Sequence, residues 1–169
     1  MFITLSRRFA CCSSKKPINL ADNYFRLFRL PESYSLNGSL LEKKYKDFQK
    51  VNHPDVSKKE NAEELSAHIN TAYATLKHPL RRAIYVLQLK QVDLDIAVVE
   101  EEFLEKVVEL KTQIEGMDEA AKRALEIRLR EIYGEFVRDF TEHLEAGVMK
   151  EAVVVTKKMT YVEKILEGL

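Results

Sequence analysis

Apolar side chains recur along this chain at intervals of three and four residues, the period of an α-helix, with no sustained strand-like alternation. Tyr24, Phe25, Leu27, Phe28 and Leu30 predict a short aromatic helix, with Asp22 as its cap and Pro31 as its stop. Leu36-Asn37-Gly38 then predicts a second start, with Asn37 as N-cap and Leu36 reaching Leu41 as a hydrophobic staple. In this second helix Leu41, Tyr45 and Phe48 share a face. Lys43, Lys46 and Lys50 repeat on another, with Lys44 beside them. It must stop near Asn52, because the residue before a proline is pushed out of the helical region and His53 precedes Pro54. Ser57 and Glu60 make a capping box for a third helix, whose buried face is Leu65, Ile69, Ala72, Tyr73 and Leu76. Two antiparallel helices thus present His53-Pro54-Asp55 at their connecting tip.

Three more helical stripes follow. Residues 97–114 place Phe103, Val107, Leu110 and Ile114 on one face, and residues 118–144 do so with Leu125, Leu129, Ile132, Phe136, Phe140 and Leu144. The last uses Val148, Ala152, Val155, Met159, Val162 and Leu166, and the connections fall at Gly116 and Gly147. These predict a small helical bundle. Leu104 and Val108 lie roughly 100° and 140° around the helix from Phe103, and Tyr161 roughly 140° from its own stripe, so all three are expected to be exposed or half-exposed.

Composition agrees with an all-α fold. Only five glycines and four prolines occur in 169 residues, too few for the turns of an all-β sandwich or for phosphate-binding loops. No apolar run approaches the ~18 residues that cross a bilayer, which argues against stable membrane insertion. Cys11 and Cys12 are adjacent and can build neither a disulfide framework nor, alone, a zinc site. The net charge of zero hides a division: residues 22–90 hold twelve basic and eight acidic side chains, whereas residues 91–169 hold eleven and nineteen. Surfaces of opposite sign steer different partners. Residues 1–21 carry Arg7, Arg8, Lys15 and Lys16 with no acid, among Phe2, Ile3, Leu5 and Phe9, which is the composition of a mitochondrial transit peptide. The matrix of a mitochondrion, or of a related organelle, is the expected location.

Candidate chemistry is sparse. His53 and Asp55 straddle a proline with no nearby nucleophile, so no catalytic residues are assigned and an enzyme is not expected. His53, His68, His78 and His143 lack the close spacing of metal ligands, and neither metal nor cofactor is expected. The lysine stripe lacks interleaved aromatics and is followed by an acidic domain, which argues against nucleic acid.

With its basic helix, tripeptide tip and flanking helices, the stretch from about Asn23 to Leu89 resembles a J-domain, the module by which co-chaperones engage DnaK-class (seventy-kilodalton heat-shock) chaperones. The resemblance implies that His53, Pro54 and Asp55 trigger the chaperone's ATPase and that Lys43, Lys44, Lys46 and Lys50 dock on it. The run Leu76-Lys77-His78-Pro79-Leu80-Arg81-Arg82-Ala83-Ile84-Tyr85-Val86-Leu87, followed by an acidic helical domain, is similar to HscB-type co-chaperones, called Jac-type in mitochondria. After the transit peptide read at 1–21, that resemblance implies a J-domain at 22–90 and at 91–169 a helical domain that binds the iron–sulfur cluster scaffold protein. Leu104, Val108 and Tyr161 would be its apolar anchors and Glu109 and Thr112 its polar rim. Glu105 and Val108 depart from the larger apolar residues usual there. The alternative within the same class is a general J-domain protein acting on unfolded mitochondrial clients.

Overall fold

The first helix is capped one residue later than the sequence predicts. In the computed structural model, which describes residues 22–52 and 62–169, Asn23 and not Asp22 is the cap: its Oδ1 accepts a hydrogen bond from the Arg26 amide at 2.9 Å. Helix α1 spans Tyr24–Leu27. It also ends before Pro31 can act. Arg29 adopts a left-handed φ of 52°, and the Leu30 amide donates back to the Phe25 carbonyl at 2.8 Å, which closes the last turn in a Schellman motif.

Helix α2, Gly38–Asn52, begins as expected, with the Leu40 amide donating to Asn37 Oδ1 at 3.1 Å. Leu41 is buried, and Leu36 is half-buried against the same core. Helix α3, Ala62–Lys77, buries Ile69, Ala72 and Leu76. The contacts Tyr45–Tyr73 and Gln49–Asn70 run in opposite sequence directions, so α2 and α3 are antiparallel. The capping box of Ser57 and Glu60 lies outside the described residues.

Helix α4, Pro79–Leu89, starts on a proline whose missing N–H no helical bond requires. Beyond it the expected helix over 97–114 starts late. A 3-10 turn at Leu94–Ile96 and an extended stretch precede α5, which is Glu101–Ile114. Ala97 and Val99 face inward while Val98 is 80% exposed, a period of two that no helix supports. Lysines of the last helix hold this strap: Lys157 Nζ donates to the Ala97 carbonyl at 2.8 Å, and Lys158 pairs with Glu100 at 2.9 Å.

Helix α6, Glu119–Ala146, is capped by Asp118, which accepts from the Ala121 amide at 2.8 Å. Helix α7 is Met149–Leu166. Val148, expected in its core stripe, precedes the first turn and is 40% exposed. The buried face of α7 is wider than predicted, since Val153, Thr156 and Ile165 are buried beside Ala152, Val155, Met159 and Val162. The reason is its central place, packed by α4, α6 and the 3-10 turn at once.

Every regular element among the described residues is helical, as the periodicity predicts. The larger core is shared between the two ends of the chain: Phe25, Phe28, Leu41, Ile69, Leu76 and Leu87 meet Phe140, Val153 and Met159. A smaller core of Val107, Leu129, Val162 and Ile165 seats α5 through Phe103, Leu110 and Ile114.

Candidate partner-binding surfaces

The basic surface is built on α2. Its inner face is locked to α3 by the stacked rings of Tyr45 and Tyr73, 3.9 Å between centroids at 11°. Asn70 Oδ1 accepts from both the Tyr45 hydroxyl (3.0 Å) and Gln49 Nε2 (2.6 Å). Phe48 meets Phe28 edge-on at 5.7 Å. With that face committed to α3 and α1, the helical period turns the lysines outward: Lys43, Lys46 and Lys50 are exposed and Lys44 is half-buried. Lys46 is bound to Glu42 at 2.7 Å. That hydrogen bond is the main reason its pKa is raised and that of Glu42 lowered. No ion pair to a described residue is formed by Lys43, Lys44 or Lys50, so these three carry the uncompensated charge. His53, Pro54 and Asp55 lie outside the described residues.

The second surface is formed by α5 and α7. Phe103 sits between Phe136 and Tyr161, edge-on to both at 6.3 and 6.2 Å, with Lys158 Nζ 5.4 Å over its ring. Tyr161 is therefore half-buried against the smaller core, and this contact draws it towards α5. Leu104 is half-buried and Val108 is 64% exposed, one residue round from buried Val107. Glu109 accepts from Gln113 Nε2 at 3.0 Å, and the Thr112 hydroxyl donates to the Val108 carbonyl at 3.1 Å. Both rim side chains are exposed. The result is an apolar spot on an exposed face, with Glu101 and Glu105 exposed on the same helix and Glu102 paired to Lys106 at 2.6 Å.

A third arrangement, between these surfaces, escapes the sequence reading. Arg82 Nη1 donates to the Leu76 carbonyl at 2.6 Å, and its guanidinium lies 4.8 Å over the Tyr34 ring. Tyr34 in turn packs edge-on to Phe140 of α6 at 4.5 Å. Burial lowers the Arg82 pKa and raises that of Tyr34. Nearby, His78 Nε2 meets Glu163 of α7 at 3.0 Å. Both Arg82 and His78 belong to the Leu76–Leu87 run, which was the available signal. Among the described residues no cluster of three or more potential ligands could hold a metal ion, and no helix is long and apolar enough to cross a membrane.

A helical hairpin joined to an α-helical bundle is also the fold of a solved co-chaperone. Chaperone HscB from Vibrio cholerae matches with a TM-score of 0.77 at 30% identity, covering 87% of this chain and 94% of that one. No protein-family model matches the chain. Individual relatives do. The iron–sulfur cluster co-chaperone HscB homologue of Arabidopsis thaliana is 32% identical over 167 residues, 94% of this chain and 66% of that protein, so the chain spans slightly less than two thirds of it. The co-chaperone HscB homologue of Shewanella loihica is 31% identical over 161 residues, 85% of this chain and 92% of that protein. The chain belongs to the HscB co-chaperone family, with a J-like domain and a helical bundle.

Proposed function

We propose that this co-chaperone binds the iron–sulfur cluster scaffold protein, delivers it to a DnaK-class chaperone and stimulates that chaperone's ATPase, assisting cluster assembly and transfer in the mitochondrial matrix or a related organelle. Residues 22–90 form the chaperone-facing J-domain. Residues 91–169 form the cargo-facing domain, and residues 1–21 are its transit peptide. The carrying observation is that the relationship to HscB co-chaperones runs through both halves, over 92% of the length of the Shewanella protein. The name of the Arabidopsis relative supplies the iron–sulfur link.

The mechanism divides between two contacts. Lys43, Lys44 and Lys50, with Lys46 partly neutralised by Glu42, attract and orient an acidic chaperone surface, so this contact weakens as salt rises. His53-Pro54-Asp55 then acts as trigger: a proline-stiffened loop offers a carboxylate to an arginine of the chaperone at small ordering cost. Cargo is held by Leu104, Val108 and Tyr161, with Glu109 and Thr112 at the rim, because desolvated apolar anchors carry most of the energy of such interfaces. The co-chaperone itself transforms no substrate; the hydrolysis belongs to its partner.

The test is a triple variant, Leu104→Ala, Val108→Ala and Tyr161→Ala, compared with the wild-type chain. The expected result is loss of scaffold capture in a pull-down, with stimulation of the chaperone's ATPase by the co-chaperone alone retained. Undiminished scaffold affinity in the folded variant removes the cargo assignment.

A further inference from the structure

Most of what joins the two halves of the molecule is apolar, and apolar contact has no preferred direction. The seam is also incompletely packed. A cleft of about 440 Å³ opens between His78 and Pro79 on one side and Tyr133, Glu163 and Leu166 on the other. A second, of about 190 Å³, opens between Ser33, Val86 and Lys90 and the Thr141–Leu144 turn of α6. Along α6 the first cleft reaches residue 133 and the second begins at 141. Phe140 falls between them, and its partner Tyr34 lines the edge of the second. Such a seam can rock unless something directional holds its middle.

Arg82 is suited to do so. One edge of its guanidinium bonds the Leu76 carbonyl in the last turn of α3, where the helix dipole favours a cation. The guanidinium carbon also lies 4.8 Å over the ring of Tyr34, which touches Phe140. A planar group that bonds a carbonyl through one nitrogen while its centre lies over a ring fixes orientation as well as distance, which the point charge of a lysine cannot do. The His78–Glu163 pair ties α4 to α7 but is more open to solvent, with 38% and 23% of the two side chains exposed, and screening weakens it.

We propose that Arg82 is a positioning residue, setting the angle between the α2–α3 hairpin and the α6–α7 pair so that cargo held on α5 and α7 is presented to a chaperone docked on α2. The proposal rests on the function given above. It assigns to Arg82, within the Leu76–Leu87 run, a role inside the molecule.

The experiment places spin labels by Asp47→Cys on α2 and Lys111→Cys on α5, in the full chain with Cys11 and Cys12 changed to serine, and compares Arg82→Lys with its parent. The expected outcome is one narrow interlabel distance in the parent and a broadened or shifted distribution in R82K. In unlabelled R82K, ATPase stimulation and scaffold affinity should match wild type. Transfer of scaffold to the chaperone should fall at least about fivefold, the lower range of coupling between sites. An unchanged distance distribution, or undiminished transfer, overturns the proposal. If R82K does not fold, Tyr34→Leu removes the aromatic partner while leaving the bond to Leu76 in place, and the same readouts apply. A wild-type chain that transfers no scaffold counts against the proposed function, whereas the distance measurement still decides the role of Arg82.

Discussion

Asp55 is the side chain on which the proposed trigger depends most. Its carboxylate follows Pro54, whose fixed φ removes one of the freedoms a loop loses on binding. A charge-assisted bond to an arginine is about twice as strong as a neutral one, so replacing the charge while keeping the shape isolates the electrostatic contribution. Asp55→Asn, and separately His53→Gln, should therefore abolish ATPase stimulation. Circular dichroism and thermal midpoint should stay near wild type, because each change keeps a polar side chain of nearly the same size. Single-turnover ATP hydrolysis with purified chaperone checks this, and normal stimulation by either variant contradicts the trigger assignment.

Helix ends show how the elements are specified, and where the sequence alone misleads. Among the described residues three Schellman closures occur, with left-handed residues Arg29, Gln91 and Gly147, and only the last is a glycine. A left-handed conformation costs a side-chain-bearing residue about 1–2 kcal/mol. At Arg29 the following Leu30 is buried, and at Gln91 the following Val92 packs on the larger core, so an apolar contact offsets the strain. At Gly147 the following Val148 is 40% exposed and offers less. Gly147→Ala should therefore lower unfolding free energy by about 1 kcal/mol or more, measured by urea denaturation, while leaving helix content intact.

The same comparison explains which elements were legible. Stripes such as Ile69, Ala72 and Leu76, or Val107 and Leu110, declared themselves because one side of each helix is buried. Arg29 and Gln91 carry no turn signal in their side chains. The strap at 97–100 has a two-residue period too short to register. α7 is buried too far round for a single stripe to describe. On the candidate surfaces, the outward placement of the α2 lysines followed from the period. The Arg82–Tyr34–Phe140 contact joins residues far apart in sequence and could not be read from it.

At the scale of the whole molecule, tyrosines stand where separate parts meet, and they make the fold sensitive to alkali. Burial is the largest cause raising the pKa of Tyr34, Tyr85 and Tyr133 above the ordinary 10.0. For Tyr133 the charge of Glu163 adds to it, while the Leu80 backbone comes near without completing a hydrogen bond. Below the unfolded-state pKa each phenol is neutral in both states, and its contribution to stability is fully present. As pH rises past about 10 the unfolded chain releases the proton first and binds fewer protons than the native state, so stability falls as pH climbs through the folded pKa. Tyr133→Phe removes one such group and deletes a hydroxyl that has no hydrogen-bond partner. The thermal midpoint at neutral pH should be nearly unchanged, while the midpoint of alkaline unfolding moves to higher pH. Tyr85→Phe should fare worse at neutral pH, because the Tyr85 hydroxyl accepts the Tyr24 amide at 2.9 Å and its loss strands a donor at the start of α1. Thermal melts followed by circular dichroism from neutral pH to about 12 separate the two. Coincident alkaline midpoints for Y133F and wild type show that phenol ionisation at this seam does not limit the fold.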